Sequence, residues 1–230
     1  MEAIILAGGR GSRLSSVVND VPKPMALVNS KPFLEIILKQ LEAQGFKRIV
    51  LSVGFKSEVI ISYFGSSFRG LSLEYSIEEF PLGTGGATRV ALDLVREDLV
   101  FILNGDTFVD FDALDVKEIS DLTGKSIIVS REVDDTLRYG SITAVGSLAA
   151  EYGEKMKSGH GLISAGAYLF KKTQLSSFKS GDTFSLENDY MPRAVKEGNF
   201  HLYRAQGRFI DIGVPEDFLR AQSYLIDVES

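Results

Sequence analysis

The chain has 230 residues, 44% hydrophobic and 24% charged, which are the proportions of a folded globular domain rather than of a disordered, collagen-like or membrane-embedded chain. Its 31 acidic and 25 basic residues leave a formal charge of −6, which argues against nucleic acid or a membrane surface as a partner, because both require a basic face. The lack of cysteine excludes disulfides and cysteine-bound metals, and only two histidines are present. No stretch resembles a signal peptide or a membrane span, so we expect a cytoplasmic protein.

Apolar segments rich in branched residues recur along the first 131 residues, with helical segments between them. The predicted strands cover residues 3–7, 48–54, 71–77, 99–105 and 125–131. Strands that alternate with helices are typical of βαβ units. The pattern therefore predicts an α/β fold with a Rossmann-like, mostly parallel central sheet flanked by helices.

Apolar residues at helical spacing predict the helices between these strands. The first helix follows Pro32 and stops at Gly45; the second has Ser57 as its candidate N-cap and Gly65 as its stop. Two more helices are predicted over 86–95 and 215–228, and the last has a proline and two acidic residues in its first turn, where they are favourable.

After residue 138 the pattern changes to paired strands around a polar loop at 151–161. This part predicts a small β-rich lobe inserted beside the main sheet, which would bind substrate. With no repeat and no linker, the chain is predicted to form a single domain over 1–230. Its core would cover about 1–135, its lobe about 136–205, and its C-terminal strand and helix 206–230.

The stretch AGGRGSRL directly follows the first predicted strand. It is not a dinucleotide-binding G-x-G-x-x-G turn, because Leu14 stands where the third glycine is required. The chain also contains Gly124-Lys125-Ser126, but no glycine stands at the upstream position of a P-loop and a strand follows instead of a helix. The turn can still bring several backbone N–H groups to one anion, with Arg10 and Arg13 alongside.

Lys23 lies between two prolines, which hold the backbone on either side of it in restricted conformations. By itself it would be interpreted as a solvated lysine in a proline-rich turn. Together with the glycine turn and Arg13, it indicates a site for a nucleoside triphosphate.

Two carboxylates stand at positions suited to a metal ion. Asp106 follows the predicted buried strand 99–105, and ligands bind at the carboxyl edge of such strands. Asp211 lies between two isoleucines, so a partner for its charge is expected. Mg²⁺ bound by both would retain open positions for phosphate oxygens. The alternatives are a turn-forming role for Asp106 and, for Asp211, hydrogen bonding to the start of the last helix.

Five ordered motifs, spread over nearly the whole chain, carry a resemblance to a known family. They are AGGRGSRL with PKPM, PLGTGGA (81–87), LNGDTF (103–108), FSLENDYMP (184–192) and FIDIGVPEDF (209–218). The chain resembles the sugar-1-phosphate nucleotidyltransferases. Its Ser16-Val17-Val18 and its Asp211–Pro215 stretch are most like those of members that use GTP and D-glycero-α-D-manno-heptose 1-phosphate.

The resemblance implies the joining of a nucleoside monophosphate to a sugar 1-phosphate, with release of pyrophosphate and with Mg²⁺ as cofactor. The implied catalytic residues are Arg13, Lys23, Asp106, Lys155 and Asp211, of which Asp106 and Asp211 bind the metal. The implied nucleotide-binding residues are Leu6, Ala7, Gly8, Gly9, Gly11, Ser12, Arg13, Lys23, Gly83, Thr84, Gly85, Asn104 and Gly105. The implied sugar-binding residues, in the inserted lobe and its neighbours, are Tyr139, Gly140, Glu154, Lys155, Ser164, Gly166 and Glu187. Ser164 departs from the family, which often has asparagine there.

Other functions remain open at this point. Mannose, glucose or an amino-sugar 1-phosphate could replace the heptose, and UTP, CTP or dTTP could replace GTP. The sequence Asp110-Phe111-Asp112 has the D-x-D form of a metal motif in nucleotide-sugar glycosyltransferases. A nucleotide sensor without catalysis is a third hypothesis. A homodimer is compatible with the sequence.

Overall fold

The computed structural model describes residues 1–9, 11, 14, 21–137, 139–153 and 159–226. Its strands are β1 (Glu2–Leu6), β2 (Leu27–Val28), β3 (Lys31–Pro32), β4 (Arg48–Val53), β5 (Ser67–Phe68), β6 (Leu71–Ile77), β7 (Leu99–Asn104), β8 (Thr107–Val109), β9 (Ser126–Val133), β10 (Ser141–Val145), β11 (Leu148–Tyr152), β12 (Gly161–Lys171), β13 (Phe200–Arg204) and β14 (Phe209–Asp211). Its helices are α1 (Phe33–Ala43), α2 (Ser57–Phe64), α3 (Gly83–Ala91), α4 (Ala113–Thr123), α5 (Met191–Lys196) and α6 (Pro215–Tyr224). None of these helices combines the length and apolar character needed to cross a bilayer.

One sheet of ten strands forms the centre of the molecule, in the order β10-β11-β13-β9-β12-β7-β1-β4-β6-β5. The neighbours β7, β1, β4 and β6 are parallel, as predicted, because a helix crosses over between each consecutive pair in the chain. Their carboxyl ends therefore meet at one edge, where the chain leaves the strands at residues 7–9, 54, 78 and 105.

The other half of the sheet is mixed rather than parallel. Strand β12 is antiparallel to both β7 and β9, whereas β13 is parallel to β9. The reason is that β9 to β12 follow one another without helices between them, so parallel crossovers do not form. The predicted α/β class holds, but the strands expected to stand beside the main sheet in a lobe continue that sheet instead.

The core lies on both faces of this sheet. In β1, Ala3 and Ile5 pack into one apolar cluster and Ile4 into the other, and β7 alternates in the same way. Successive side chains of a strand point to opposite faces, so a strand covered on both sides is apolar throughout. This explains the uninterrupted apolar segments of the sequence.

The predicted helices are present at α1, α2, α3 and α6. Ser57 is not the N-cap of α2: that position belongs to Lys56, in a left-handed conformation with φ 51°, and Ser57 is the first helical residue. Gly65 ends this helix as predicted, with φ 60°. Helices α4 and α5 and a π-helical turn at Leu186–Tyr190 were not predicted.

A two-stranded sheet of β8 and β14 places the C-terminal part of the chain at the edge where the parallel strands end. Asp211 pairs in register with Thr107, and the Ile212 N–H donates to the Asp106 carbonyl at 3.0 Å. The two predicted metal ligands, 105 positions apart, are thereby brought next to each other.

Candidate active site

A cavity of about 530 Å³ opens at the carboxyl edge of the parallel strands. Ten of the predicted site residues line it: Leu6, Ala7, Gly8, Gly9, Gly11, Lys23, Gly83, Thr84, Asn104 and Asp106. Eight further residues that line it were not predicted: Pro24, Gly54, Phe55, Glu78, Glu79, Pro81, Ala87 and Gly213. The sequence signal that points to Glu78 and Glu79 is their place three and two residues before the PLGTGGA motif.

Asp106 and Asp211 converge on the ammonium group of Lys23. The Lys23 Nζ lies 2.5 Å from Asp106 Oδ2 and 3.7 Å from Asp211 Oδ1. The Lys23 side chain is only 8% exposed, so the interpretation as a solvated lysine is wrong. The ion pair at 2.5 Å is a charge-assisted hydrogen bond, the strong kind, because donor and acceptor are both ionised; Lys23 is buried and Asp106 is half-buried.

Lys23 is held in place by its surroundings. It begins a single 3₁₀ turn, Lys23–Met25, between its flanking prolines. Gly11, with φ 63°, lies against its stem: a Cβ on Gly11 would stand 2.8 Å from the Lys23 Cβ. A side chain at Gly11 would therefore push the lysine away from the two carboxylates.

Asp106 and Asp211 also make local hydrogen bonds of the kind that their alternative roles require. Asp106 Oδ1 accepts a hydrogen bond from the Thr107 hydroxyl at 3.3 Å, and Asp211 Oδ1 accepts one from the Gly213 N–H at 2.7 Å, in the turn that leads to α6. Neither bond uses Asp106 Oδ2, which faces Lys23. Turn geometry orients both side chains towards the same point.

The donor set fits Mg²⁺ completed by a substrate. The carboxylates of Asp106 and Asp211 both lie close to the Lys23 ammonium, so the place where they meet already attracts a positive charge. Among the described residues no group of three or more His, Cys, Asp or Glu could hold a metal ion. Magnesium is commonly held by one or two carboxylates, waters and phosphate oxygens, so Asp106 and Asp211 could hold it with a bound phosphate.

Glu78 forms the opposite wall of the cavity, beneath the glycine turn. It accepts hydrogen bonds from the Leu82 N–H at 3.1 Å and the Ser52 hydroxyl at 3.4 Å. Burial raises the pKa of the Glu78 carboxyl above its usual range, and these two hydrogen bonds lower it in part. Gly8 makes room for the group, since a Cβ there would lie 2.4 Å from Glu78 Oε1.

Two neighbouring glycines of this turn serve different purposes and can be separated by mutation. No atom of the described part of the chain lies within 4 Å of a Cβ on Gly9, so Gly9→Ala should leave the melting temperature unchanged. If the nucleotide approaches the backbone there, the added methyl group should weaken GTP binding by about tenfold. Gly8→Ala should displace Glu78. Calorimetric titration with GTP and thermal melts of both variants check this, and unchanged GTP affinity of Gly9→Ala would place the ligand elsewhere.

The glycines of PLGTGGA pack against a distant segment rather than only lining the cavity. A Cβ on Gly85 would lie 2.2 Å from the Phe184 ring, and one on Gly83, with φ 71°, would lie 2.5 Å from the Phe184 carbonyl oxygen. The N–H groups of Gly85 and Gly86 both donate to that carbonyl, at 3.0 and 3.2 Å. Gly85 was predicted to line the base pocket, but it packs against Phe184 and is not among the residues that line the cavity.

None of the predicted sugar-binding residues that the structure describes lines the cavity itself, but two of them contact residues that do. Glu187 accepts a hydrogen bond from the Thr84 hydroxyl at 2.6 Å, which joins it to the nucleotide loop. Gly166, with φ 71°, forms a bulge in β12 after Ser164, and a Cβ there would lie 2.9 Å from Asn104 Nδ2. The Asn104 Oδ1 is buried and has no hydrogen-bond partner among the described residues.

Three other predicted residues are placed outside the cavity walls. The Tyr139 ring packs edge-on against Phe209, with centroids 5.8 Å apart, next to the strand that carries Asp211. Gly140 is exposed. Gly105 packs against β1, where its N–H donates to the Leu6 carbonyl at 2.9 Å.

Four predicted site residues, Ser12, Arg13, Glu154 and Lys155, lie outside the described residues, as do Arg10 and Ser16-Val17-Val18.

The D-x-D sequence has structural roles. Asp112 caps α4, accepting hydrogen bonds from the N–H groups of Leu114 and Asp115. Asp110 Oδ2 accepts from both the backbone N–H and the side chain of Arg208, at 2.9 and 3.2 Å. Asp110 and Asp112 follow the end of β8 opposite to Asp106, and these partners occupy both carboxylates, which argues against a glycosyltransferase metal site.

Comparison with known proteins places the chain among enzymes of nucleotide transfer. The D-glycero-alpha-D-manno-heptose 1-phosphate guanylyltransferase of Campylobacter jejuni is 40% identical over 219 residues, which cover 95% of this chain and 97% of that protein. The protein of the same name from Aneurinibacillus thermoaerophilus is 39% identical and 98% of each chain is covered. The crystal structure of HddC from Yersinia pseudotuberculosis complexed with GMP-PN superposes with a TM-score of 0.85 at 36% identity, covering 96% of this chain and 98% of that one. The sequence profile of the nucleotidyl transferases matches residues 2–228, so this chain belongs to the nucleotidyl transferase family.

Proposed function

We propose that the protein transfers GMP from GTP to D-glycero-α-D-manno-heptose 1-phosphate, forming GDP-heptose and pyrophosphate. Family membership and two relatives of that name, each matched over nearly its whole length, support the reaction. The observation in this chain that carries the choice of base is the Glu78 carboxylate, which lines the cavity beneath Gly8.

A carboxylate accepts hydrogen bonds and, when ionised, donates none. Guanine presents two adjacent donors on one edge, N1–H and the N2 amino group, so a single carboxylate can accept from both. Uracil and thymine have one N–H flanked by two carbonyl oxygens, which a carboxylate would repel. Cytosine has its amino group beside an unprotonated ring nitrogen. Glu78 therefore favours guanine over each of the other three bases.

The transfer step needs charge neutralisation more than proton transfer. An oxygen of the sugar 1-phosphate attacks the α-phosphorus of GTP, the new P–O bond forms, and the bond to the β-phosphate oxygen breaks with pyrophosphate as the leaving group. The attacking oxygen is already anionic, so no general base is required. Repulsion between phosphates is the barrier that positioning and cations lower.

Lys23 pairs with Asp106 and lies near Asp211 at the cavity edge. With nucleotide bound, its ammonium is available to a phosphate oxygen, and the two carboxylates would hold Mg²⁺. The metal would supply electrostatic stabilisation of the charge that develops on the α-phosphate. By resemblance, Arg13 would bind the triphosphate and Lys155 the phosphate of the sugar.

Pyrophosphate release tests the proposal. The purified protein is assayed with Mg²⁺, crossing GTP, CTP, UTP and dTTP with heptose, mannose, glucose and N-acetylhexosamine 1-phosphates. Strong release with GTP and the heptose 1-phosphate alone is expected. A different favoured pair would retain the transfer chemistry and replace the substrate, whereas thermal stabilisation by GTP without release across the grid would favour a nucleotide sensor.

The cellular setting is part of the same proposal. GTP is a cytoplasmic substrate and the chain contains no cysteine, both of which support action in the cytoplasm. A GDP-heptose would serve as a sugar donor for surface polysaccharides. A homodimer is the oligomer to look for, by light scattering of the purified protein.

A further inference from the structure

Thr84 links the nucleotide cavity to the segment that carries the predicted sugar contact. Its hydroxyl donates to Glu187 Oε2 at 2.6 Å and accepts from the Leu186 N–H at 2.9 Å. A hydroxyl group has one proton to donate, and here that proton goes to a carboxylate. Although Thr84 lines the cavity, its side chain is committed to Glu187 rather than to a nucleotide.

The PLGTGGA loop and the segment that leads to Glu187 pack too closely to slide past each other. The Phe184 N–H donates to the Leu82 carbonyl at 3.0 Å, and the Phe184 carbonyl receives the N–H groups at the start of α3. A Cβ on Gly86 would lie 2.2 Å from the Asp182 carbonyl oxygen. These backbone hydrogen bonds fix the position of the segment that carries Glu187, and the hydrogen bond from Thr84 fixes the position of its carboxylate.

Both hydrogen bonds that reach the Glu187 carboxylate from the described residues go to Oε2, from Thr84 and from the Ser185 hydroxyl at 3.3 Å. This arrangement leaves Oε1 without a donor from that part of the chain. The carboxylate is only partly buried, so a ligand can reach it.

The Tyr152 and Tyr168 phenols lie near Glu187 and form a hydrogen-bonded group with the Ser164 hydroxyl. Tyr152 and Tyr168 share a hydrogen bond at 3.1 Å, and the Ser164 hydroxyl donates to the Tyr168 oxygen at 2.9 Å. Burial, with the charge of Glu187 adding to it, raises the pKa of Tyr152 to about 12. These phenols stay protonated and neutral, so they do not compensate the charge of the Glu187 carboxylate.

We propose that Thr84 is a positioning residue for the sugar substrate: its hydroxyl holds the Glu187 carboxylate so that Oε1 accepts a hydrogen bond from a hydroxyl group of the sugar 1-phosphate. The inference rests on the proposed function. It assigns the threonine of the PLGTGGA motif to the second substrate, and it makes the nucleotide loop and the sugar site one hydrogen-bonded unit.

The test compares Thr84→Val, which has the shape of threonine without the hydroxyl, with the matched control Thr84→Ser, which retains it. Calorimetric titration measures GTP affinity and, with a non-hydrolysable GTP analogue bound, the affinity for heptose 1-phosphate and mannose 1-phosphate. Steady-state kinetics add KM and kcat. Thr84→Val should weaken sugar phosphate binding by about tenfold or more and leave GTP affinity within about twofold, since one charge-assisted hydrogen bond loses its alignment. Thr84→Ser should resemble the wild type.

Glu187→Gln supplies the second arm. It should weaken sugar phosphate binding as well, and the double variant should be no worse than Glu187→Gln alone, because Thr84 acts only through that carboxylate. Additive losses, or a Thr84→Val variant that loses GTP affinity while retaining sugar affinity, would overturn the inference. Failure of the proposed function looks different: the wild type itself would then prefer another nucleotide or another sugar phosphate, and the titrations are made with that pair.

Discussion

Replacing Asp106 by asparagine is expected to lower turnover by about 10²- to 10³-fold, the range found when one preorganised electrostatic contact is lost. Asparagine retains the volume of the side chain and its hydrogen bond to Thr107 but removes the charge that pairs with Lys23 at 2.5 Å. The site would then have one carboxylate in place of two for a cation. Pyrophosphate release at saturating GTP and sugar phosphate, followed over a range of Mg²⁺ concentrations, measures the loss.

The matched control is Asp110→Asn, four residues further along the chain. Asp110 is tied to Arg208, so its substitution should lower the melting temperature slightly and leave turnover near that of the wild type. The opposite result, with Asp110→Asn inactive and Asp106→Asn active, would restore the glycosyltransferase interpretation of the D-x-D sequence. Normal turnover of Asp106→Asn at saturating Mg²⁺ would remove Asp106 from the chemistry.

Glu78→Gln should lower kcat/KM for GTP by about 10²-fold, since hydrogen bonds to a charged group contribute about 1.5–3 kcal/mol each and the amide can accept from only one of the two guanine donors. The amide of glutamine also donates, and therefore it suits the N–H and neighbouring carbonyl of uracil or thymine. Use of UTP and dTTP should rise relative to GTP. Competition assays with pairs of nucleotides measure this change in selectivity directly.

The pH dependence of Glu78 provides an independent check. Its raised pKa means that the protonated form persists above the ordinary range of a glutamate, and a protonated carboxyl loses one acceptor. Affinity for GTP should therefore rise with pH through the pKa of Glu78 and level off above it. Stability of the free protein should change in the opposite direction over the same window, because the folded state binds the proton more tightly than the unfolded state.

Both pH effects should be absent from Glu78→Gln, which does not titrate. Glu79→Gln is the matched control, because this neighbouring carboxylate also lines the cavity but is exposed. If Glu79→Gln changed the choice of base and Glu78→Gln did not, recognition of guanine would belong to Glu79. If neither variant changed it, backbone groups of the cavity would carry the choice.

The position of Lys23 shows how far sequence reasoning reached at the site. The glycine turn, the prolines and the two aspartates predicted a cation and two carboxylates at one edge of the sheet. They did not predict that the lysine would lie between the carboxylates with only 8% of its side chain exposed. That contact depends on β14 returning to β8, an antiparallel pairing between segments about a hundred residues apart, for which local sequence carries no signal.

The sequence by itself determined the parallel half of the sheet, the helices that connect its strands, and the glycine turn, Lys23 and Asp106 at its carboxyl edge. Those features follow from local periodicity and from turns whose residue types are restricted, and both can be read from a short stretch of chain. Only the tertiary structure decided that the later strands continue the same sheet, that Glu78 enters the cavity beneath Gly8, and that Thr84 meets Glu187. Each of these depends on close approach between distant segments, which packing density and hydrogen-bond geometry control and which no periodicity reports.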